Sequence, residues 1–425
     1  MNTKKWIFLL LILLASQTLW AAEPISKGDI LTLERCVQIA LKNHPAIHAA
    51  QSGILQAESR IGQARSGYYP QVNLQSGYSR VGPAPTALRS DPYNYYSNSL
   101  HLNQTIFDFG KTWTQVDIST LNRESARADF QDVLASVVFS VKEAYYVFVK
   151  ARMSEKVAAE TVIQFQQHYE IAKLFYETGK SSKIDVTSAE VNVSNARISL
   201  LSAQNGLRIA RVTLNRAMGI SQAPEYDIRE EFQLETEEIS FQDALLLAYE
   251  NRPELISATR QNKALEKSVL LNKKGYLPVL AGSASYGYAG DDTAMDRAWN
   301  VGLTLTFPLF SGLSTRYAVE EAKAGLDIAR ANEIALRQII HLEVESAYLN
   351  RKEAFERIEA GRIMVRQAEE TLELAQGRYR TGVGSSIEIT DAMIKLNNAK
   401  MTYITAMSDF SVAQAVLEKA IGAEP

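Results

Sequence analysis

The sequence contains the same pattern twice, and this duplication limits the folds that are open to it. Residues 176–189, YETGKSSKIDVTSA, align without a gap with residues 379–392, YRTGVGSSIEITDA, at an offset of 379 − 176 = 203. Upstream, residues 31–78 align with residues 239–286 at an offset of 239 − 31 = 208. The period is too long for a solenoid of short repeats. The chain is therefore predicted to be one duplication of a large structural unit.

Each aligned stretch is predicted to be the tip of a helical hairpin, at about residues 176–185 and 379–388. Gly179 and Gly382 end long helical patterns and suit the left-handed position just past a helix C-terminus. A serine followed three residues later by an acid then has the spacing of a capping box, which starts the next helix: Ser182 with Asp185, and Ser385 with Glu388.

Shorter segments in each copy alternate between apolar and polar residues, which is the period of a β-strand. Val301, Leu303 and Leu305, for example, alternate with Gly302 and Thr304. Strands of about ten residues with one apolar and one small-polar face are typical of a transmembrane barrel wall. Tyrosines and Trp299 near the strand ends resemble interfacial girdles. Two strands are predicted in each copy, with hairpin loops between them: strands at about 68–80, 97–107, 277–288 and 299–309, and loops at 81–94 and 289–298.

Very long helices are predicted beyond the second strand of each copy. Residues 111–177 contain no proline, and apolar residues such as Tyr145, Phe148, Val162 and Ala172 recur every three or four positions. A helix of that length would extend about 100 Å. The sustained repeat, close to 3.5 residues, indicates coiled-coil-like packing. A return helix after each tip is predicted to run to Gly219 in the first copy and Gly422 in the second.

The N-terminus is predicted to be a secretory signal peptide at residues 1–22. Lys4 and Lys5 precede an apolar run at residues 6–15 that is too short for a membrane anchor, and small residues follow at Ala21 and Ala22. The chain is therefore expected to be exported. The repeats are placed at residues 23–220 and 239–422, with an acidic linker at 221–238.

Charge and residue types argue against several classes of function. The net charge of −3 and the absence of a basic cluster give no support to nucleic-acid binding. Cys36, the only cysteine, excludes an intramolecular disulfide and is expected on the inner face of a helix. His44 and His48 have the spacing of metal ligands, but Pro45 disrupts that turn. No phosphate loop, nucleophile elbow or catalytic cluster is present, so we predict neither enzyme activity nor a bound cofactor or metal.

Four strands cannot close a barrel, and open strand edges are not tolerated in lipid. Outer-membrane barrels have at least eight strands. Two chains would supply eight strands, three would supply twelve and four would supply sixteen. The chain is therefore expected to form oligomers whose helices continue the wall of the barrel outside the membrane.

The motifs of both copies resemble those of the TolC family of outer-membrane efflux proteins. They are the signal peptide, an Ala-x-x-Asn-x-Pro pattern ending at Pro45 and Pro253, the strand exits Phe107-Asp-Phe-Gly and Phe310-Ser-Gly, and the Tyr-x-x-Gly tips. The resemblance implies an α+β membrane protein and a homotrimer. It implies a twelve-stranded barrel in outer-membrane lipid, continued by a periplasmic α-helical barrel. It also implies docking to a periplasmic adaptor and an inner-membrane pump, in a tripartite efflux or type I secretion system.

The resemblance further implies two kinds of site at the tips. An acidic ring narrows the periplasmic end in the family, and the matching residues are Glu388 and Asp391, with Asp185 on the first tip. In the family an arginine of the second tip can pair with the acid at the position of Asp185, but this chain has Gly384 there. Adaptor docking is expected at the exposed tips: Thr178, Gly179, Lys180, Thr381, Gly382 and Val383.

Two other classes of function fit parts of the sequence. A periplasmic coiled-coil adaptor or scaffold would also have long helical hairpins, but it should carry compact Gly-rich β domains around a single hairpin. A secreted enzyme is opposed by the lack of a catalytic constellation. Retention in the outer membrane after a high-salt wash separates a channel from a soluble adaptor.

Overall fold

A computed structural model describes residues 25–82, 91–232, 234 and 239–423 of the chain. The predicted signal peptide, residues 1–22, lies outside the described residues. So do most of the predicted loop at 81–94 and five residues of the predicted linker, 233 and 235–238. Among the described helices, none has a segment long and apolar enough to cross a membrane.

Helices and strands follow the same order in both copies. The first copy consists of β1 (Ile30–Leu31), α1 (Leu33–Asn43), α2 (Pro45–Arg65), β2 (Gln71–Val81), β3 (Tyr93–Phe107), α3 (Lys111–Glu177) and α4 (Lys183–Ala217). A short β4 (Asp227–Ile228) precedes the second copy, which consists of α5 (Phe241–Asn251), α6 (Pro253–Lys273), β5 (Val279–Asp291), β6 (Met295–Thr306), α7 (Ser314–Arg380) and α8 (Ser386–Ala420). Helices α3 and α7 have 67 residues each, and α4 and α8 have 35 each.

Local chemistry explains where several helices begin. Pro45 and Pro253 are the first residues of α2 and α6, where the missing N–H costs no hydrogen bond. Asp108 precedes α3, and its carboxylate accepts hydrogen bonds from the backbone N–H of Gly110 at 2.9 Å and of Thr112 at 2.7 Å. These bonds satisfy donors that the first turn of a helix leaves unpaired. Asp108 therefore helps the chain to pass from the end of β3 at Phe107 into α3 at Lys111.

The chain divides into two compact units. The first unit contains Met1–His48, Val133–Ala248 and Leu342–Pro425, and the second contains Ala49–Asp132 and Tyr249–His341. In the first unit β1 pairs in parallel with β4. The ring of Phe148 packs edge-on against Tyr226. Cys36 is fully buried in α1, as predicted.

The second unit contains a four-stranded sheet in the order β2-β3-β5-β6, with antiparallel neighbours. Successive side chains of a strand point to opposite faces, so each row of paired residues belongs to one face. One face is apolar and aromatic, with the rows Leu74, Leu100, Tyr286, Trp299 and Val72, Leu102, Ala284, Val301. The other face is small and polar, with the rows Asn73, His101, Ser285, Asn300 and Gln71, Asn103, Ser283, Gly302.

The second hairpin differs from its predicted boundaries. The predicted loop at 289–298 is wrong, because β5 continues to Asp291 and β6 already begins at Met295. The Asp291 carboxylate accepts hydrogen bonds from the backbone N–H of Thr293 at 2.8 Å and of Ala294 at 3.1 Å. These bonds close a tight turn, so the small residues on either side of it remain paired between β5 and β6. Strand β6 ends at Thr306, before the end of the predicted strand at 299–309, and Pro308 beyond it has no N–H for the sheet.

The strands of the first hairpin are also shifted. Residues Ser66–Tyr68 form a 3-10 turn, so β2 begins at Gln71 rather than near residue 68. Strand β3 begins at Tyr93, before the predicted start near residue 97, because Tyr93 and Asn94 still pair with Val81 and Arg80.

Candidate functional site

The two hairpin tips in the first unit have matching turns. Gly179 has a φ of +74° and Gly382 a φ of +77°, which confirms the predicted left-handed glycines. After each glycine the backbone N–H bonds back to the preceding helix: Lys180 N donates to Phe175 O at 2.7 Å, and Val383 N donates to Arg378 O at 3.0 Å. All six residues expected to dock an adaptor are exposed on these turns.

The capping carboxylates are engaged within their own tips. Asp185 accepts hydrogen bonds from the hydroxyls of Ser181 and Ser182, each at 2.7 Å. These bonds, led by that from Ser181, hold the pKa of Asp185 below its usual value. In the second tip Ser385 N donates to the Glu388 carboxylate at 3.4 Å, and Glu388 N donates to the Ser385 hydroxyl at 3.3 Å. Both predicted capping boxes therefore start a helix.

An arginine is present at the second tip, but at a position that the family resemblance does not imply. Arg378 Nε lies 3.1 Å from Glu388 Oε2, and this bond is the main reason that the pKa of Glu388 is lowered. The pair joins the end of α7 to the start of α8 within one hairpin. The spacing of ten residues across a turn is not periodic, so sequence reasoning did not find it.

Asp391 differs from the other two acidic candidates. It lies on α8 one turn after Glu388, and its side chain is exposed. In the described part of the chain it makes no hydrogen bond or ion pair, whereas Asp185 and Glu388 both do. Of the three acids, Asp391 is thus the one whose charge is not engaged by a neighbour in its own chain.

Gly384 leaves no room for a side chain. An added Cβ would lie 2.9 Å from Arg378 Cβ and 3.0 Å from Tyr379 N. A side chain at this position would therefore require the turn to shift away from α7. The tip is built around the glycine, so the family's arginine does not fit here without such a movement.

Replacing Gly384 with alanine is expected to destabilise the second tip by about 1–3 kcal/mol, because the added methyl group overlaps the backbone of α7. Faster hydrogen exchange of the tip amides would report the local opening. Gly377→Ala is the matched control, since an added Cβ there meets nothing within 4 Å and Gly377 is helical. Equal exchange in the two variants would contradict the overlap.

A shared hydrophobic core holds the two hairpins together near the tips. It is formed by residues from α3, α4, α7 and α8: Phe165, Val193, Ala196, Ala368, Leu372, Ala375, Tyr379, Ile389, Ala392, Met393, Leu396 and Ala399. His168 of α3 is buried beside this core, and its Nε2 lies 3.0 Å from Ser386 Oγ at the start of α8. This histidine was not singled out in the sequence analysis. The signal for it was its place in a helical spacing of three and four residues, with Thr161, Phe165 and Ala172, all of which are buried.

Over residues 25–82, 91–232, 234 and 239–423, no three His, Cys, Asp or Glu side chains come together in an arrangement that could hold a metal ion.

Comparison with known families supplies the observation that decides the assignment. The family described as "Outer membrane efflux protein" matches residues 36–220 and 244–423, which are most of both copies. The chain belongs to this family. Its function as an outer-membrane exit channel for efflux is thereby confirmed, as is its location in the outer membrane with an extension into the periplasm. The assignment favours a channel over the adaptor and scaffold alternative.

Individual relatives are distant but similar over nearly their whole length. The probable efflux pump outer membrane protein TtgC of Pseudomonas putida is 23% identical over 406 residues, which cover 92% of this chain and 82% of TtgC. The outer membrane protein TolC of Vibrio cholerae is 23% identical, with 90% of this chain and 89% of that protein covered. The solved structure of the outer-membrane channel OprN shares the fold, with a TM-score of 0.79, 19% identity and 95% of each chain covered.

Proposed function

We propose that three copies of this efflux protein form a passive duct through the outer membrane. The observation that carries the proposal is the four-stranded sheet with one apolar face. Its outer strands, β2 and β6, each have a single neighbouring strand within the described chain. Lipid offers no partners for the exposed backbone groups of such strands, so a closed ring of sheets is needed. Three chains give twelve strands.

An exposed apolar seam on α4 supports assembly through the helices as well. The seam consists of Ile184, Val191, Ile198 and Val212, which are 72%, 54%, 63% and 67% exposed in the single chain. These residues are spaced by seven or fourteen positions, as in a coiled-coil contact. In a cyclic trimer the same seam of each copy would pack on a different helix of the next copy. The helices would then form a barrel that continues the strands.

Native mass of the detergent-extracted protein tests this proposal. Three chains in the complex is the expected result. A complex of two or four chains would replace the twelve-stranded barrel with one of eight or sixteen strands. A monomer that stays in solution without detergent would overturn the proposed duct, because the apolar face of its sheet would be covered in some other way.

The tips are the proposed contact with the rest of the transport system. They carry exposed apolar side chains, with Val383, one of the six docking residues, and the neighbouring Ile387 each about 70% exposed. A periplasmic adaptor would bind this surface and connect the duct to an inner-membrane pump. The duct itself would supply no energy, and the small-polar face of the sheet suits a passage of low selectivity. In this proposal residues 23–220 and 239–422 are the two repeats and 221–238 is the linker.

Asp391 is the proposed charge of the periplasmic gate, with Glu388 and Asp185 in supporting positions. A threefold ring of unengaged carboxylates would attract cations. Asp391→Asn is expected to raise the concentration of a divalent cation needed for half-block of single-channel current by about tenfold. Glu388→Gln is the matched comparison and should have a smaller effect, because Arg378 already pairs with that carboxylate. Unchanged block in Asp391→Asn would remove this residue from the gate.

A further inference from the structure

His168 connects the two hairpins at a point where nearly all water is excluded. Its side chain belongs to the first hairpin, through α3, and is only 2% exposed. Its Nε2 lies 3.0 Å from the hydroxyl of Ser386, the first residue of α8 in the second hairpin. The imidazole ring also packs edge-on against Tyr379 near the end of α7, with the ring centres 5.7 Å apart. One titratable side chain therefore contacts both helices that meet at the second tip.

This environment suits a neutral imidazole. Burial lowers the pKa of His168, and Asp185 opposes that shift only in part. The groups that face the ring are Asp185 on α4, Tyr379 on α7, and Ser386 at the N-terminus of α8. The positive end of the α8 dipole is therefore next to His168, and it disfavours an imidazolium there. A neutral ring with its proton on Nδ1 accepts a hydrogen bond from the Ser386 hydroxyl at Nε2, whereas a protonated Nε2 can only donate to the hydroxyl oxygen.

We infer that His168 is a pH-sensitive pin, that is, a contact that holds the two hairpins together only while the imidazole is neutral. Its protonation loosens the tip and favours opening of the duct. The inference rests on the proposed function, since it concerns regulation of the same tips. Adding one proton to Nε2 leaves it able only to donate to the Ser386 oxygen, so the Ser386 hydroxyl hydrogen loses its acceptor. The new positive charge is repelled by the N-terminus of α8 and attracted to Asp185 on α4. His168 thus changes partner from the second hairpin to its own, and the first turn of α8, which carries Glu388, is released.

The direction of the pH effect follows from the lowered pKa. A histidine that is neutral in the folded tip contributes its full stabilisation above its ordinary pKa of 6.5. That stabilisation is lost as the pH falls from 6.5 through the lower value in the folded tip. Acid should therefore weaken the closed tip, and neutral pH should hold it closed. The carboxyl groups of Asp185 and Glu388 have lowered pKa values and stay ionised over the upper part of this range.

Open probability of the purified protein in planar lipid bilayers, measured at pH 7.5 and pH 5.5, tests the pin. The natural protein is expected to open at least about threefold more at pH 5.5. His168→Gln keeps a hydrogen-bond acceptor for Ser386 but does not titrate, so it should remove most of that rise. His341→Gln, on α7 but 38 residues before Tyr379, is the matched control and should respond to acid as the natural protein does.

Ser386→Ala provides a second variant in case His168→Gln does not assemble. It removes the hydroxyl and should raise open probability at pH 7.5, with a smaller further rise at pH 5.5. An acid response that persists unchanged in His168→Gln, or a Ser386→Ala channel that matches the natural one at both pH values, would overturn the pin. Failure of the natural protein to conduct ions at either pH would instead count against the proposed duct.

Discussion

Replacing Leu303 with arginine is expected to prevent stable insertion into the outer membrane. Leu303 lies on the apolar face of β6, two residues from Val301 and Leu305, and its side chain is 73% exposed in the single chain. In the proposed barrel that face contacts lipid, between the aromatic row of Trp299 and the helices. An arginine near the bilayer midplane costs about 2–4 kcal/mol per copy, and a trimer carries three copies.

The matched control is Thr304→Arg, one residue further along the same strand. Thr304 pairs with Ala281 on the small-polar face, so its arginine would face the water-filled interior. Trimer recovered from washed outer membranes would measure both variants. We expect recovery to fall to a small fraction for Leu303→Arg and to remain near normal for Thr304→Arg. The reverse order would show that the two faces of the sheet are assigned the wrong way round.

Replacing Gly219 with alanine is expected to destabilise the first unit strongly. Gly219 follows α4 with a φ of +73°, a conformation that costs other residues about 1–2 kcal/mol. An added Cβ would also lie 2.6 Å from His44 Cα and 3.0 Å from Asn43 O, which are backbone atoms at the end of α1. Overlap of this kind costs about 1–3 kcal/mol more. The total is about 2–5 kcal/mol, which is a large share of the stability of an ordinary domain.

Gly179→Ala separates the two causes. Its φ is +74°, nearly the same as at Gly219, but an added Cβ there meets nothing within 4 Å. It should therefore show only the conformational cost. Hydrogen exchange around residues 43–44 and around the first tip would compare the two variants. Similar losses of protection from exchange at both positions would mean that the backbone of α1 moves away from the added Cβ at no cost in stability.

Long, uninterrupted helices could be predicted from the sequence because the helical repeat of apolar residues alone determines them. The predicted bounds of α3 match Lys111–Glu177, since no proline interrupts the pattern and a glycine follows its end. The turn of the second hairpin could not be predicted, because its flanking Ala, Gly and Asp residues favour loops by composition. Only the bonds that Asp291 accepts from Thr293 and Ala294 show that the strands continue.

The candidate site could be predicted only where its chemistry is local. A capping box is a spacing of three residues, so both tip boxes were found from the sequence. The bond between Arg378 and Glu388 and the contact between His168 and Ser386 cross from one helix to another. Such contacts depend on how the helices are rotated against each other, and a single sequence carries no direct signal for that rotation.

The pairing of β3 with β5 has a consequence for the number of chains that the proposed ring needs. There the second strand of one hairpin pairs with the first strand of the next, as β6 and β2 of successive chains would in the proposed ring. The boundary between the two copies within a chain and the boundary between neighbouring chains thus use the same kind of strand pairing. A chain with a single repeat would supply two strands and would need six copies for a twelve-stranded ring, twice as many as the duplicated chain. Because the two repeats are joined in one chain, they can also differ, as they do at Asp391 and its counterpart Ser188.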